Sequence, residues 1–283
     1  MSHDQASRLR SLALRTQRTI SNSPTASVRT LVVSSGERRL GGTTLAVHLS
    51  ISLARQGQRV VLVDADLETA GASLLSQVQL SPGLIDVLIE RRNIHEALQR
   101  GPAGIQVLAG SQAASERVQL NDKTCERLMR QLASLSRHTD LVVLDVPCRE
   151  AEPRGESLTH GPLISFWQHA DDVLLVTSSD DSAVMNTYAL LKSCWSRTVV
   201  VPRLHVAVNH AREDADANDV HQLLDRSSRR FLKLPLQLAG SLPTSPHAAS
   251  TAGVPNGPFD LALEHIAQRL LSTSIPEDLR TVA

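Results

Sequence analysis

Three acidic residues at the ends of apolar, β-branched runs are the first candidates for chemistry in this chain. Asp64 ends the run at 59–64, Asp66 follows it two residues later, and Asp145 ends a similar run at 141–145. If these runs are parallel strands, the three carboxylates lie at the edge of the sheet where open α/β folds place their ligands. The simpler alternative is that they are solvated caps of the strand ends.

A glycine-containing turn at 34–44 has the composition of a phosphate-binding loop. It lies between an apolar run at 30–34 and a helical pattern at 43–56. In such a loop the backbone N–H groups and the helix N-terminus face the phosphate. A tight strand-to-helix turn that binds nothing would have the same composition, so the turn alone leaves both interpretations open.

The sequence of this turn resembles the deviant Walker A loop of the MinD/ParA family of P-loop proteins. That loop has the form S-G-K-G-G-x-G-K-T, and four positions of this chain match it in register: Ser35, Gly36, Gly41 and Thr43. Glu37 stands where the family has its signature lysine, which reaches the nucleotide of the partner subunit. Gly42 stands where the general P-loop lysine contacts the β- and γ-phosphates.

The loss of both lysines weakens the electrostatic part of phosphate binding. A pair of unit charges about 4 Å apart is worth roughly 4 kcal/mol at an effective dielectric constant of about 20, so an acid at Glu37 replaces attraction by repulsion. Arg38 and Arg39 supply positive charge nearby. They occupy family glycine positions, however, where the backbone approaches phosphate without a side chain. The sequence leaves open whether these arginines compensate.

The resemblance to the MinD/ParA family also implies roles for residues outside the loop. Asp64 and Asp66 match the switch I motif, in which one carboxylate orients the attacking water and the other supports the magnesium shell. Asp145 matches the Walker B aspartate, which holds Mg²⁺ through water while Thr43 ligates it directly. The implied cofactors are ATP or ADP with Mg²⁺. The implied nucleotide-binding residues are those of the loop and the asparagine that recognises adenine: Gly36, Arg38, Arg39, Gly41, Gly42, Thr43, Thr44 and Asn209.

Alternating strand and helix patterns must hold these residues in place. Strand candidates lie at 30–34, 59–64, 105–108, 141–145, 173–177, 204–208 and 236–239, and helical patterns lie between most of them, with the last at 258–271. This alternation is typical of βαβ units. We predict a three-layer, doubly wound α/β domain with about seven, mostly parallel strands. The family resemblance implies the P-loop NTPase fold of MinD and ParA.

Composition limits the other classes of protein that the chain can belong to. Its 283 residues suit one large domain with tails, and a core with only 2% aromatic residues must be aliphatic, as in parallel sheets. The 29 basic residues balance 29 acidic ones, so no nucleic-acid partner is expected. Three widely spaced cysteines fit neither a disulfide framework nor a thiolate metal site, and no apolar run has the length of a membrane span. We therefore expect a cytoplasmic protein, with peripheral location at the membrane or a cell pole as the open alternative.

The first residues resemble the N-terminal signature of FlhG proteins, MinD-like regulators of flagellar placement and number. Residues 4–10 match the pattern D-Q-A-x-x-L-R. In that family the tail helix docks on the GTPase FlhF and stimulates GTP hydrolysis, so the resemblance assigns to Gln5 a catalytic role at the partner's nucleotide. The predicted organisation is a partner-binding helix at 1–20, a flexible linker at 21–29, the P-loop domain at 30–272 and a C-terminal tail at 273–283.

Three functional hypotheses remain open at this point. The first is a regulator of flagellar placement or number that acts through nucleotide-linked dimerisation and an FlhF-type GTPase, with weak or lost ATP hydrolysis. The second is an active ParA/MinD-type ATPase that binds phosphate through Arg38 or Arg39, because every acidic position is retained. The third is a polar scaffold similar to CpaE/TadZ, relatives that tolerate altered Walker loops.

The partners that the first hypothesis implies are an FlhF-type GTPase, a second copy of the chain and flagellar basal-body components. Membrane association has weaker support. The segment 272–283 is short, contains Pro276 and lacks a basic apolar face, so it does not have the pattern of a membrane-binding amphipathic helix.

Overall fold

The computed structural model describes residues 28–112, 120–147, 161–196, 201–245, 248, 250–251 and 257–272. The predicted partner-binding helix with Gln5, nearly all of the predicted linker and the predicted C-terminal tail lie outside the described residues.

One sheet of eight strands organises the described residues. The strands are β1 (Arg29–Ser35), β2 (Val60–Asp64), β3 (Leu98–Arg100), β4 (Gln106–Leu108), β5 (Leu141–Asp145), β6 (Asp172–Thr177), β7 (Arg203–Asn209) and β8 (Gln237–Leu242). Their order in the sheet is β3-β4-β2-β5-β1-β6-β7-β8. All neighbours are parallel except β3 and β4, so the carboxyl ends of the other strands share one edge.

Helices connect the strands. They are α1 (Gly42–Arg55), α2 (Gly71–Leu75), α3 (Leu84–Leu88), α4 (Ile94–Ala97), α5 (Asp122–Ala133), α6 (Gly161–His169), α7 (Asp181–Trp195), α8 (Asp214–Phe231) and α9 (Pro258–Ser272), with short 3₁₀ turns at Pro102–Gly104 and Ser134–Arg137. None of the helices in the described ranges is long and apolar enough to cross a membrane.

The sheet separates two hydrophobic cores because successive strand residues face opposite sides. In β1, Val32 packs into one core, and Leu31 and Val33 pack into the other. Residues of α5, α6, α7 and α8 complete the first core, while residues of α1 and α9 complete the second. This arrangement confirms the predicted three-layer, doubly wound α/β fold.

The described residues contain eight strands, one more than the seven candidates in the sequence. The missed strand, β3, is three residues long and only partly buried, so it has no apolar pattern to reveal it. The last predicted strand, at 236–239, was too short, because β8 continues to Leu242. Gly240 interrupts the apolar pattern there, and a Cβ at this position would lie 2.8 Å from Cγ1 of Ile266, so the close approach of α9 explains the glycine.

Candidate functional site

The middle of the sheet brings the predicted acidic residues together with the start of α1. Strand β5 lies between β2 and β1, and Asp64 is the register partner of Asp145. Helix α1 begins at Gly42, directly after the turn that follows β1. The carboxyl edge therefore carries two strand-end carboxylates beside a helix N-terminus.

The turn between β1 and α1 is held tightly on two sides. Gly41 has a left-handed backbone with φ of 85°, and a Cβ there would lie 2.3 Å from Nδ2 of Asn209. A Cβ at Gly36 would lie 2.4 Å from the backbone N of Thr187 in α7. Glycine is required at both positions, because a side chain would collide with strand β7 on one side and α7 on the other.

The N-terminus of α1 has the features of an anion-binding site. Gly41 is its N-cap, no side chain caps the first N–H groups, and the first turn contains no acidic residue. Thr43 and Thr44 lie in this first turn and are half-buried. Uncapped N–H groups at the positive end of the helix dipole favour a phosphate.

The residue at the signature-lysine position is turned towards α7. Nδ2 of Asn186 donates a hydrogen bond of 2.6 Å to Oε2 of Glu37, and the hydroxyl of Ser35 donates one of 2.7 Å to the backbone oxygen of Glu37. Arg38 and Arg39 are exposed, and Arg39 has a left-handed backbone with φ of 66°. Both arginines therefore lie at the surface of the loop, and the hydrogen bond from Asn186 in α7 holds the Glu37 side chain that precedes them.

Asp64 is completely buried and firmly held. Its Oδ2 accepts hydrogen bonds from the backbone N of Ser73 at 2.8 Å and from the Ser73 hydroxyl at 2.6 Å, and its Oδ1 accepts one from the N of Asp66 at 3.1 Å. Burial raises the pKa of Asp64 to about 6 although these hydrogen bonds favour the charged form. Ser73 also accepts a hydrogen bond from the N of Gly110 at 2.8 Å, so it ties Asp64 to the loop after β4.

Asp145 is buried as deeply but is not satisfied. Burial raises its pKa well above the ordinary value, the negative charge of Asp64 adds to this shift, and a hydrogen bond with Thr43 opposes it. Its Oδ2 has no hydrogen-bond partner among the described residues. An unpaired buried carboxylate oxygen is costly, and a cation is the partner that would remove the cost.

Asp66 and Asn209 are both engaged by neighbouring backbone. Oδ1 of Asp66 accepts hydrogen bonds from the N of Glu68 at 2.8 Å and of Thr69 at 3.0 Å, and its Oδ2 accepts one from the Thr69 hydroxyl. Nδ2 of Asn209 donates to the backbone oxygen of Leu40 at 2.8 Å, within the turn. Asn209 therefore ends β7 and contacts the loop that the sequence assigned to the same site.

The carboxylate side of this site fits a magnesium-bound phosphate. No group of three or more His, Cys, Asp and Glu side chains able to hold a metal ion occurs in the part of the chain that the structure describes. Mg²⁺ usually takes one or two protein carboxylates and completes its shell with phosphate oxygens and water, so Thr43 and the free oxygen of Asp145 suit it. The loop side offers backbone N–H groups but neither of the two lysines of the family pattern.

Two contacts that shape the site were not predicted. Ser73 holds Asp64 from nine residues away, and Asn186 holds Glu37 across 149 residues. Nothing in the local sequence distinguishes either residue from an ordinary polar surface residue. Only the folded chain brings them to the loop.

Comparison with known proteins identifies the family to which the chain belongs. The profile of a family described as an AAA domain matches residues 29–194. The chain is 27% identical to the antiactivator FleN of Pseudomonas aeruginosa over 261 residues, which cover 89% of this chain and 90% of FleN. It is also 27% identical to the septum site-determining protein MinD of Bacillus subtilis over 256 residues, covering 87% and 90% of the two chains.

Solved structures agree on the fold. MinD of Pyrococcus horikoshii complexed with Mg-ADP superposes with a TM-score of 0.65 at 19% identity, covering 90% of this chain and 100% of the other. Cobyrinic acid a,c-diamide synthase of Mycobacterium smegmatis, with a bound ATP analogue and magnesium, gives 0.68 at 22% identity, covering 86% and 94%. At these identities the likeness shows a common fold.

Proposed function

Because the chain belongs to the AAA-domain family and resembles FlhG within the MinD/ParA branch of P-loop proteins, we propose that it is a nucleotide-dependent regulator with weak or absent ATP hydrolysis. The observation that carries the proposal is the buried, unpartnered Oδ2 of Asp145 beside Thr43, at the N-terminus of α1. A site that still suits Mg²⁺ but has lost both lysines is suited to bind a nucleotide and poorly equipped to turn it over.

Different residues at the carboxyl edge bind different parts of the nucleotide and its metal in this proposal. The N–H groups of the loop from Gly36 to Thr44 would bind the phosphates, Thr43 would ligate Mg²⁺, and Asp145 would hold the metal through water. Mg²⁺ would supply positive charge that offsets the charge of the phosphate oxygens. Asn209, which the family resemblance assigns to adenine, also fixes the loop through Leu40.

Slow hydrolysis follows from what surrounds the candidate catalytic groups. Asp64 is buried and its oxygens accept hydrogen bonds from Ser73 and Asp66, so it is poorly placed to reach a water. The oxygens of Asp66 accept hydrogen bonds from Glu68 and Thr69, so fewer of its acceptor sites are left for a water. The ammonium group that would offset charge on the phosphates is missing at Glu37. Stabilisation of developing charge is usually the largest contribution to such a reaction.

The similarity to FleN and MinD supports a regulatory role for this site. We place the chain in the control of flagellar placement or number, with nucleotide binding linked to dimerisation. Its partners are a second copy of the chain, an FlhF-type GTPase engaged by residues 4–10, and basal-body components. Gln5 is the residue that acts at the partner's GTP.

A working ATPase is the second candidate, and the exposure of Arg38 and Arg39 favours it. Both guanidinium groups are at the loop surface and therefore free to fold over a bound phosphate. In that case Arg38→Ala or Arg39→Ala should abolish ATP binding. Unchanged affinity in both variants would exclude this candidate.

Calorimetry with Mg²⁺-ATP and Mg²⁺-ADP on the full chain tests the main proposal. We expect binding in the wild type, loss of binding in the Thr43→Ala and Asp145→Ala variants, and turnover far below that of an ordinary member of the family. Absence of binding in the wild type would contradict the proposal. Fast turnover abolished by Asp66→Ala would contradict its second half.

A separate assay tests the partner. An FlhF-type GTPase should hydrolyse GTP faster when the full chain is added, and the Gln5→Ala variant should lose this effect while it keeps nucleotide binding. Stimulation that is unchanged in the variant would remove Gln5 from the proposal.

A further inference from the structure

The end of α8 and its surroundings expose apolar and basic side chains together. Phe231 is 64% exposed, Leu223 is 54% exposed, and Val201 is 48% exposed. Three basic residues accompany them. We define the corner patch as Leu223, Arg226, Arg230, Phe231, Lys233 and Val201.

The topology places the end of α8 and Val201 at the amino edge of the sheet, with Leu223 about two helical turns earlier on α8. On α8, the spacing of Leu223, Arg226 and Arg230 by three and four residues puts them on one face of the helix. Helix α8 ends at Phe231, next to the amino edge of the sheet, because it connects the carboxyl end of β7 to the start of the parallel strand β8. Val201 precedes β7 by two residues and so lies at the same edge.

The charge of this corner is not balanced locally. No acidic residue occurs between Arg226 and Gln237. Arg229 pairs with Asp225 at 2.8 Å, while Arg226, Arg230 and Lys233 have no carboxylate partner within the described ranges. Since the whole chain has a formal net charge of zero, the corner is a local excess of positive charge.

Stabilisation of the helix end accounts for only part of this composition. Basic residues in the last turn interact favourably with the helix dipole, and Nζ of Lys233 donates to the backbone oxygen of Arg230 at 3.3 Å. The guanidinium carbon of Arg230 also lies 5.2 Å from the ring centre of Phe231. The second contact accounts for an aromatic ring at Phe231, but neither contact accounts for the exposed Leu223 and Val201.

We propose that the corner patch docks on the surface of an anionic phospholipid bilayer. Apolar side chains that enter the boundary between headgroups and acyl chains, flanked by cations that meet lipid phosphates, are the composition of an interfacial membrane site. A nucleic-acid backbone would attract the three cations but has no place for Leu223 and Val201. Docking by this edge leaves the carboxyl edge, with the candidate nucleotide site, facing away from the membrane. The inference does not depend on nucleotide binding.

Sedimentation with vesicles of phosphatidylcholine, with and without phosphatidylglycerol, tests the proposal on the full chain. We expect binding only to the anionic vesicles. Arg230→Ser and Lys233→Ser should each weaken it about fivefold, and Phe231→Ala about tenfold. The matched controls are Arg92→Ser and Arg100→Ser for net charge, and Leu261→Ala for loss of an exposed apolar side chain, and they should bind as the wild type does.

A spectroscopic variant separates insertion from simple charge attraction. The Phe231→Trp variant should keep full binding, and its emission, measured as the difference from wild type, should shift to the blue on anionic vesicles. The proposal would be overturned if the wild type did not bind anionic vesicles, or if patch and control variants lost binding equally. It would also be overturned if the emission of the tryptophan showed that it stays in water. A duplex DNA probe that binds through Arg230 and Lys233 while the vesicles do not would have the same consequence.

Discussion

The two edges of the sheet contain buried aspartates with opposite surroundings. Asp172 begins β6 at the amino edge, and Asp145 ends β5 at the carboxyl edge. Asp172 is bound by Arg29 at 2.7 Å, Arg203 at 2.8 Å and His205 at 2.9 Å. Burial opposes its ionisation, but these hydrogen bonds outweigh burial and lower its pKa to about 2. Around Asp145 no such cations exist within the described residues, and its pKa is raised.

This difference distinguishes a structural charge from a charge that needs a ligand. At the amino edge the chain supplies its own counter-charges, and Arg29 also donates to the backbone oxygen of Leu270 at 2.6 Å, so the network ties β1 and β6 to the end of α9. At the carboxyl edge the described residues supply no counter-charge, so Asp145 favours its protonated form until a cation from outside the chain binds. A buried ion without a partner is stable only if something neutralises it.

Replacement of the two aspartates by asparagine should change stability very differently, and this is the largest difference that we expect. Asp172→Asn leaves Arg29 and Arg203 without their partner, so the free energy of unfolding should fall by about 3–5 kcal/mol. Asp145→Asn replaces a carboxyl group whose ionisation burial and Asp64 already disfavour, so the metal-free protein should be as stable as the wild type or more stable. Urea unfolding without Mg²⁺ measures both. An equal loss of stability in the two variants would show that the edges do not differ in this way.

The second largest difference should be in how the stability contributed by each edge of the sheet depends on pH. The folded pKa of Asp64 is about 6 and its ordinary value is 3.8, so the folded state binds the proton more tightly. The resulting stabilisation is present below pH 3.8 and is lost as the pH rises through about 6, on the order of 3 kcal/mol. For Asp172 the folded pKa is lowered to about 2, so its contribution is present above 3.8 and is lost as the pH falls towards 2.

Thermal unfolding of the metal-free protein across this pH range provides the measurement. The fall in stability between about pH 4 and pH 6 should become smaller in Asp64→Asn, where Asp145 keeps a raised pKa, and should also shrink when Mg²⁺ and nucleotide are added. If the stability of the wild type does not change between about pH 4 and pH 6, the pKa of Asp64 is not raised in the folded protein.

Sequence patterns predicted the carboxyl edge better than the amino edge, for a physical reason. The predicted bounds of the strand at 141–145 agree with those of β5 at both ends. Four apolar residues in a row followed by an aspartate are typical of a strand that is buried on both faces. The loop glycines and the strand-end acids also follow local rules. The cluster around Asp172 has no local signal, because its members are contributed by three strands and Arg29 lies 143 residues from Asp172.

The same limit applies inside the candidate site. The sequence places Glu37 at a lysine position, but only the fold shows that Asn186 holds it. It likewise places Asp64 and Asp66 two positions apart, but the hydrogen bonds from Ser73 to Asp64 require α2 to lie against the end of β2. The hydrogen bond from Thr69 to Asp66 spans three residues and belongs to the local turn. Side-chain contacts at a site depend on tertiary packing, and the motif alone does not specify them.

Restoring a cation to the loop tests whether the carboxyl edge is a nucleotide site. A Cβ at Gly42 would lie 3.5 Å from the Ser35 hydroxyl, which is ordinary contact, so the backbone leaves room for a side chain to begin there. Gly42→Lys should lower the dissociation constant for Mg²⁺-ATP about tenfold, well within the Coulomb energy of one charge pair. Gly42→Met is the matched control for length and helix propensity. If lysine and methionine give the same affinity, no phosphate lies beside this position.

The contact between Glu37 and Asn186 should have the smallest effect and the most specific one. The pair is exposed, so Asn186→Ala should change the free energy of unfolding by less than about 1 kcal/mol. Its effect on ligand binding should be larger in relative terms, because an unrestrained Glu37 carboxylate can turn towards the phosphates and repel them. We therefore expect Asn186→Ala to bind ATP a few-fold more weakly than the wild type. In a chain that already carries Glu37→Gln, the same substitution should leave the affinity unchanged. Calorimetry on the two single variants and the double variant measures this non-additivity. Additive effects would mean that α7 does not restrain the acid, and that the loop tolerates Glu37 without help from Asn186.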